Sequence, residues 1–274
     1  MNEIEIKKNV REGYAAVAKQ AASCCGTASS GCCGPSASAS KSVGYTDEDI
    51  TSVPDGADLG LGCGNPVALA SLKPGETVLD LGSGAGFDCF LAAARVGASG
   101  RVIGVDMTPE MIDRARQNAL GSAYANVEFR LGEIENLPVA DGAADIIISN
   151  CVINLSTDKP RVFREAFRAL KPGGRLMVSD IVLLKELPRS IRESVDAYVS
   201  CISGAMQKDA YLDAIRAAGF REVRVIQETV FPVDFVASDP AARAIVEETK
   251  ATPEQVAEFT ASVLSVRVQA EKAA

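Results

Sequence analysis

The stretch VLDLGSGAGFD, Val78 to Asp88, decides how the rest of the chain is read. Val78 to Leu81 is a short apolar run broken only by Asp80. Gly82, Gly84 and Gly86 follow at every second position, and FDCFLAAARVG then repeats apolar residues at helical spacing. That is a strand, a glycine turn and a helix. Glycine at these positions lets the backbone turn sharply and lets a ligand approach it closely. The spacing departs from the dinucleotide pattern G-x-G-x-x-G, which disfavours a nicotinamide site. Taken alone, the run could be an ordinary tight turn. Asp106 argues for more. It closes the next strand, RVIGVD, some twenty residues on, where a carboxylate can accept both hydroxyl hydrogens of a ribose.

Outward from this point the pattern is regular. TVLDL, RVIGVD, VEFRLG, ADIIISN and GRLMVSDIVLL read as strands. TPEMIDRARQNAL reads as a helix with Thr108 as its cap and Pro109 at its first position, and KPRVFREAFRAL as the helix before the last of those strands. Alternation of this kind makes an α/β fold, a parallel sheet with helices on both faces. Further helices are expected near 189–200 and 208–218, and a strand in REVRVIQETV. VLSVRVQAEK places Leu264, Val266 and Val268 on one face and Ser265, Arg267 and Gln269 on the other, which predicts a half-buried antiparallel strand at the sheet edge. Upstream, Val10, Tyr14 and Val17 predict an amphipathic helix over 3–21. TDED after Tyr45 is a capping-box pattern with Thr46 as cap, and Pro66 suggests a short helix in NPVALASL.

Composition sets the outer limits. The chain has 274 residues, net charge −8, eight cysteines and no histidine. A chain of this length buries roughly 75% of its unfolded surface and needs no disulfide staples. The acidic balance argues against a nucleic-acid partner, and no apolar run of about 18 residues suggests a membrane span. The N-terminal segment MNEIEIKKNVREGY is charged and lacks an apolar signal core, so the expected location is the cytoplasm. Eight cysteines in a reducing compartment point to metal, metalloid or redox chemistry. Cys24, Cys25, Cys32 and Cys33 lie in a Gly/Ser/Ala run that reads as a flexible loop. Their CC-x6-CC spacing is not that of a zinc knuckle. Cys89 reads as a small buried hydrophobe on a helix.

Several motifs, in order over Val78–Asp180, resemble the class I methyltransferases that use S-adenosylmethionine. LDLGSGAG is similar to their first motif and VIGVDMTPEMI to their second. GEIENLPVADGAADIIISN resembles the end of their third strand plus the fourth, and LKPGGRLMVSD the approach to the fifth. The resemblance implies a Rossmann-like, mostly parallel sheet with an antiparallel edge strand and an N-terminal Cys-rich lid. It implies that Gly82, Ser83, Gly84 and Gly86 line the methionine moiety and ribose of S-adenosylmethionine, with Asp80 nearby. Asp106 would hold the ribose hydroxyls and Met107 flank the adenine. Glu133 and Ile134 would stand at the adenine edge, with Asn150 and Cys151 at the mouth of the site.

Which acceptor is methylated is carried by other residues. GCGNPVALA around Cys63, SNCVINLS around Cys151 and CISGA around Cys201 together resemble the arsenite methyltransferases. GFDCFLAAARVG, DMTPEM and the CC pairs before VGY agree with that family. The resemblance implies arsenite and methylarsenite as substrates, with arsenic held by Cys63, Cys151 and Cys201. Cys24, Cys25, Cys32 and Cys33 would be accessory thiols that collect the metalloid or donate electrons, replenished by an external thiol reductant of the thioredoxin or glutathione type. The implied division is residues 1–72 for the helix, Cys-rich loop and lid, 73–188 for the cofactor-binding core, and 189–274 for an arsenic-binding segment and the terminal strands.

The chemistry agrees with that resemblance. Three thiolates around trivalent arsenic leave a lone pair opposite the sulfurs. That nucleophile carries no proton, so a chain without histidine loses nothing by lacking a general base. Positioning alone supplies roughly 7–11 kcal/mol for a well-held pair. Three other readings stay open. A small organic acceptor such as a quinone or sterol would leave the three cysteine motifs unexplained. A non-enzymatic metalloid-binding protein would leave the glycine turn and Asp106 unexplained. Antimony would bind the same thiols.

Overall fold

The computed structural model describes residues 2–20, 40–41, 43–62, 64, 71–187, 189–192, 198–199, 201–230, 252, 254, 256 and 260–274. Cys24, Cys25, Cys32, Cys33 and Cys63 lie outside these residues, as does the short helix expected in NPVALASL.

Among the described residues one sheet has eight strands: β1 (Thr77–Leu81), β2 (Arg101–Asp106), β3 (Val127–Leu131), β4 (Ala144–Asn150), β5 (Leu170–Leu183), β6 (Met206–Gln207), β7 (Arg221–Val230) and β8 (Val263–Glu271). Their order is β3-β2-β1-β4-β5-β8-β7, with the short β6 paired to β5. β1 to β5 pair in parallel, and β8 runs antiparallel to both β5 and β7. The antiparallel strand therefore stands one place in from the edge, and β7 closes the sheet. Burial separates the two. β8 buries Leu264, Val266, Val268 and Ala270 on one face with the intervening residues half-covered, whereas β7 leaves most of its length exposed. β5 begins at Leu170, directly after its preceding helix and ahead of the expected Gly174.

The helices are α1 (Glu3–Gln20), α2 (Asp47–Ser52), α3 (Phe87–Val96), α4 (Pro109–Leu120), α5 (Lys159–Ala169), α6 (Arg189–Arg192) and α7 (Lys208–Ala217). α2 starts on the expected capping box: Thr46 Oγ1 accepts from Asp49 N at 3.1 Å, and Asp49 Oδ2 accepts from Thr46 N at 3.0 Å. α4 starts differently. Thr108 occupies the cap position but its side chain makes no capping bond, and its N–H donates instead to Asp106 Oδ1 at 2.8 Å. No helix among the described residues is long and apolar enough to cross a membrane.

The central strands are apolar on both sides, as a sheet covered on both faces requires. Leu79, Leu81, Ile103, Val105, Ile147 and Val178 face Phe163 of α5 and Tyr211 and Ile215 of α7. Val78, Val102, Ile146, Ile148 and Met177 face Phe90 of α3 and Ile112 and Ala115 of α4. A third, smaller cluster lies beyond the carboxyl ends of the strands, where Val10 of α1 meets Cys151, Leu155, Ile181, Cys201 and Ile202. α1 is thereby placed over the end of the sheet where open α/β folds bind ligands.

Candidate functional site

The cleft at that end has the glycine turn as its floor and α1 as part of its roof. It is lined by Gly82, Ser83, Gly84, Asp106, Met107 and Ile134 and opens to solvent on one side. Gly82 and Gly84 have φ of +73° and +51°. A Cβ on Gly82 would stand 2.4 Å from Val152 Cγ2, whereas one on Gly84 would point into open space. Gly86 does not line the cleft. It caps α3 at φ +97°, and a Cβ there would strike Phe129 and Phe90 within 2.8 Å.

Asp106 is held rather than free. Gly84 N donates to its Oδ2 at 3.0 Å and Thr108 N to its Oδ1 at 2.8 Å. Burial pushes its carboxyl above the ordinary range, and those backbone donors work against the shift. Asp80, at the floor, accepts from Cys89 Sγ at 3.2 Å. Burial, followed by the charge of Asp88, pushes its carboxyl well up. Cys89 itself is fully buried, and burial together with Asp80 pushes its thiol up.

At the adenine side expected from the sequence, Met107 and Ile134 line the cleft and Glu133 does not. Glu133 pairs with Lys7 of α1 at 2.9 Å. Glu135, two residues on, lines the cleft instead; it is buried and accepts from Ser156 Oγ at 2.7 Å. Burial opposes a charge on Lys7, but Glu133 and Glu135 outweigh it and hold the ammonium above its ordinary value.

Asn150 also lines the cleft. Its Nδ2 lies 2.8 Å from Tyr45 Oη, 2.8 Å from Gly64 O and 3.2 Å from Asp88 Oδ2. Tyr45 Oη in turn donates to Asp88 Oδ1 at 2.7 Å. Burial pushes the Asp88 carboxyl up to about 6 against these two hydrogen bonds.

Two of the expected arsenic ligands come together. Cys151 lines the cleft at the end of β4, and Cys201 sits behind it with its Sγ donating to Cys151 O at 2.8 Å. Among the described residues the non-glycine positions with positive φ are Ser71, Cys151, Cys201 and Glu222, with φ of +57° at Cys151 and +64° at Cys201. A left-handed backbone costs a non-glycine residue roughly 1–2 kcal/mol, and such strain gathers at functional positions. Cys151 is disulfide-bonded, and Cys89 and Cys201 are free thiols. Burial, then the Asp180 carboxylate, pushes the Cys201 thiol up; a hydrogen bond from Tyr14 and the charge of Lys159 pull the other way.

The residues of the site that sequence patterns did not single out are Lys7, Tyr14, Tyr45, Asp88 and Glu135. Tyr14 alone carried a signal, as part of the apolar stripe of α1.

Sheet order, glycine floor and cleft define a class I S-adenosylmethionine-dependent methyltransferase, and residues 72–219 match a family model described as a methyltransferase domain. CrArsM, an arsenic(III) S-adenosylmethionine methyltransferase from Chlamydomonas reinhardtii, has a crystal structure that matches with a TM-score of 0.64 at 33% identity, covering 86% of this chain and 74% of that one. The chain belongs to the arsenite methyltransferase family. The arsenite methyltransferase of Halobacterium salinarum is 51% identical over 229 residues, 81% of this chain and 59% of the relative. That of Homo sapiens is 36% identical over 165 residues, 57% of this chain and 44% of the relative. The chain thus spans about half the length of the curated relatives it matches.

Proposed function

We propose that the protein methylates trivalent arsenic bound by cysteine thiolates, converting arsenite to methylarsenicals with S-adenosylmethionine as donor, as an arsenic-detoxifying enzyme. The observation that carries this reading is the pairing of Cys151 and Cys201, both in left-handed backbone, beside the glycine-floored cleft.

The cleft residues fit the donor. Ser83 Oγ is buried without a hydrogen-bond partner among the described residues, and a buried hydroxyl of that kind calls for a ligand or water. Ser83 with Gly82 and Gly84 would hold the methionine and ribose portions, Asp106 the ribose hydroxyls, and Met107 and Ile134 the adenine. When bound, S-adenosylmethionine supplies an electrophilic methyl group on a sulfonium. Asp106→Ala removes two charge-assisted hydrogen bonds to ribose, each worth about 1.5–3 kcal/mol, so affinity is expected to fall by at least about tenfold. Titration calorimetry with S-adenosylmethionine reads this directly, and an unchanged affinity would remove Asp106 from the donor site.

The cysteines would hold arsenic with its lone pair facing the cleft. Binding needs thiolates, so loading releases protons from buried thiols such as Cys201. A disulfide-bonded Cys151 cannot ligate, and a thiol reductant must open it before arsenic enters; the same reductant would restore thiols oxidised when pentavalent product returns to the trivalent state. Arsenite offers three exchangeable positions and methylarsenite two. Cys151 and Cys201 would then suffice for methylarsenite, with Cys63 the third ligand for the inorganic substrate. The accessory Cys24, Cys25, Cys32 and Cys33 act in loading or reduction on this reading. Replacing all four by Ser is expected to slow arsenite methylation much more than methylarsenite methylation, measured side by side with excess reductant. Equal loss on both substrates would assign them a common role instead.

The decisive experiment incubates the purified protein with methyl-labelled S-adenosylmethionine, arsenite and a thiol reductant and speciates the arsenic products. Labelled methylarsenicals are expected. Turnover of a quinone or sterol in place of arsenite would favour the organic-acceptor reading.

A further inference from the structure

Cys201 stands on a turn that is braced against the turn after Cys151. Just beyond Cys151 the chain makes the single helical turn Ile153–Leu155. Asn154, in its middle, has no exposed surface, and its Nδ2 donates to Asp180 Oδ1 at 2.7 Å and to Ile181 O at 2.6 Å, both on β5. The Asn154 backbone is therefore fixed to the sheet. Gly204 rests on it: a Cβ there would stand 2.1 Å from Asn154 O and 3.3 Å from Tyr198 Cε2. Tyr198 Oη is within hydrogen-bond reach of Leu155 O at 3.3 Å and Ser156 O at 3.4 Å. Cys201 lies between these two contacts along the chain. Its N donates to Tyr198 O at 2.9 Å, and Ala205 N donates to Ile202 O at 3.0 Å. Beyond Gly204, β6 is paired with Val182 and Leu183 of β5. The turn so held brings Cys201 Sγ to 2.8 Å from Cys151 O. Neither Gly204 nor Tyr198 lines the donor cleft.

We infer that Gly204, with Tyr198 beside it, sets the spacing of the Cys151 and Cys201 thiols and so makes them a chelate for a trivalent arsenical with two exchangeable ligands. The inference rests on the reading of these two cysteines as arsenic ligands, and it names the residues that position them. Two thiols hold one arsenic tightly only where both reach it together, because the second bond then forms at the effective concentration that their spacing allows. A side chain at position 204 must open a gap of about 1 Å against Asn154 O before the contact becomes an ordinary one. Asn154 is tied to β5 on one side and β6 is paired with β5 on the other. The turn that carries Cys201 is the part left to yield. A displacement of about 1 Å costs roughly a hundredfold where two groups must meet in a fixed geometry. A ligand that needs one thiol is indifferent to it.

The test uses fully reduced protein with Cys24, Cys25, Cys32, Cys33 and Cys63 replaced by Ser, which leaves the pair and the fully buried Cys89. Methylarsenite exchanges its two hydroxyls for the two sulfurs, and the thiol protons leave with them as two waters. Methylmercury takes one sulfur and releases one proton. Gly204→Ala is expected to weaken methylarsenite binding, read by calorimetry, roughly a hundredfold. Methylmercury binding and S-adenosylmethionine binding are expected to stay unchanged, which a general loosening of the fold would not allow. Tyr198→Phe keeps the ring against Gly204 and removes the hydroxyl. It is expected to weaken methylarsenite binding about fivefold, the size of one neutral hydrogen bond, and it carries the test alone if Gly204→Ala does not fold. An unchanged methylarsenite affinity in either folded variant, or a parallel loss of methylmercury or donor binding, would overturn the assignment. If methylarsenite binding falls as expected while the protein with all its cysteines makes no labelled methylarsenical, the spacing role stands and the proposed function fails.

Discussion

Cys201→Ser and Cys151→Ser are each expected to abolish methylation of arsenite and of methylarsenite while S-adenosylmethionine still binds. A serine hydroxyl is a hard, protonated ligand and does not replace a thiolate on a soft centre. Loss of a residue that merely supports a metal ligand costs about 10–100-fold, and loss of a ligand itself costs more. Cys201→Ser is the cleaner variant. Its hydroxyl can still donate to Cys151 O, the bond that Cys201 Sγ makes at 2.8 Å, and the left-handed backbone at φ +64° strains both residues alike. Cys151→Ser also removes the disulfide bond that Cys151 makes in this structure. Cys89→Ser is the contrast. Cys89 lies under the floor, donates to Asp80 and has no exposed surface, so its replacement perturbs packing and leaves arsenic binding in place. The measurement is product speciation on both substrates alongside donor calorimetry for all three variants. Full activity in Cys201→Ser would remove that residue from the ligand set.

The parts of this site legible in the sequence were those built from neighbours along the chain. The strand, glycine turn and helix from Thr77 to Val96 follow from local periodicity and from glycine's access to positive φ. Asp106 was legible because it ends a strand at a fixed distance from that turn. The parts that were not legible join residues remote in sequence. Lys7 meets Glu133 across 126 positions and Asn150 meets Tyr45 across 105, and no periodicity reports such contacts. Within GEIENLPV two acids stand two residues apart, and the segment is neither helix nor strand there, so no pattern tells which one turns inward. The structure turns Glu135 inward to Ser156 and leaves Glu133 to Lys7. For β8 the alternation revealed a half-buried strand, but an edge strand and its inner neighbour alternate alike. Only the pairing of β7 outside it decides the place.

The absence of histidine has a second consequence, for stability. In most proteins histidine dominates any titration between pH 5.5 and 7, because its ordinary value, about 6.5, falls there. This chain has none, so shifted carboxyls take over. Asp180, fully buried at the end of β5, accepts from Asn154 Nδ2 at 2.7 Å, Ile181 N at 2.9 Å and Tyr211 Oη at 3.1 Å. Burial pushes its carboxyl up to about 7, and those donors and Lys159 only limit the rise. The sign follows from linkage. An aspartate titrates near 3.9 when unfolded, so between about pH 4 and 7 the folded state holds a proton that the unfolded state has released. The stability from that proton is complete below about pH 4 and is lost as pH rises through about 7, with a full range of about 4 kcal/mol. Asp88, pushed up to about 6, acts in the same direction. Glu128, held at about 2 by Arg130 and Arg101, acts oppositely, but its contribution is already complete above about pH 5. The donor-free protein is therefore expected to lose thermal stability from pH 5.5 to 7.5. Asp180→Asn keeps an acceptor for Asn154 and Ile181 and a donor toward Tyr211, and removes the charge. It takes from Lys159 the charge of Asp180 and leaves it that of Glu135, which takes back part of the gain. The expected result at pH 7.5 is a stabilisation of about 2 kcal/mol, or roughly 5 °C in Tm for a protein of this size, with a flatter profile down to pH 5.5. Calorimetric melts of both proteins across that range test it, and an equal slope in the variant would show that Asp180 is not the group that titrates.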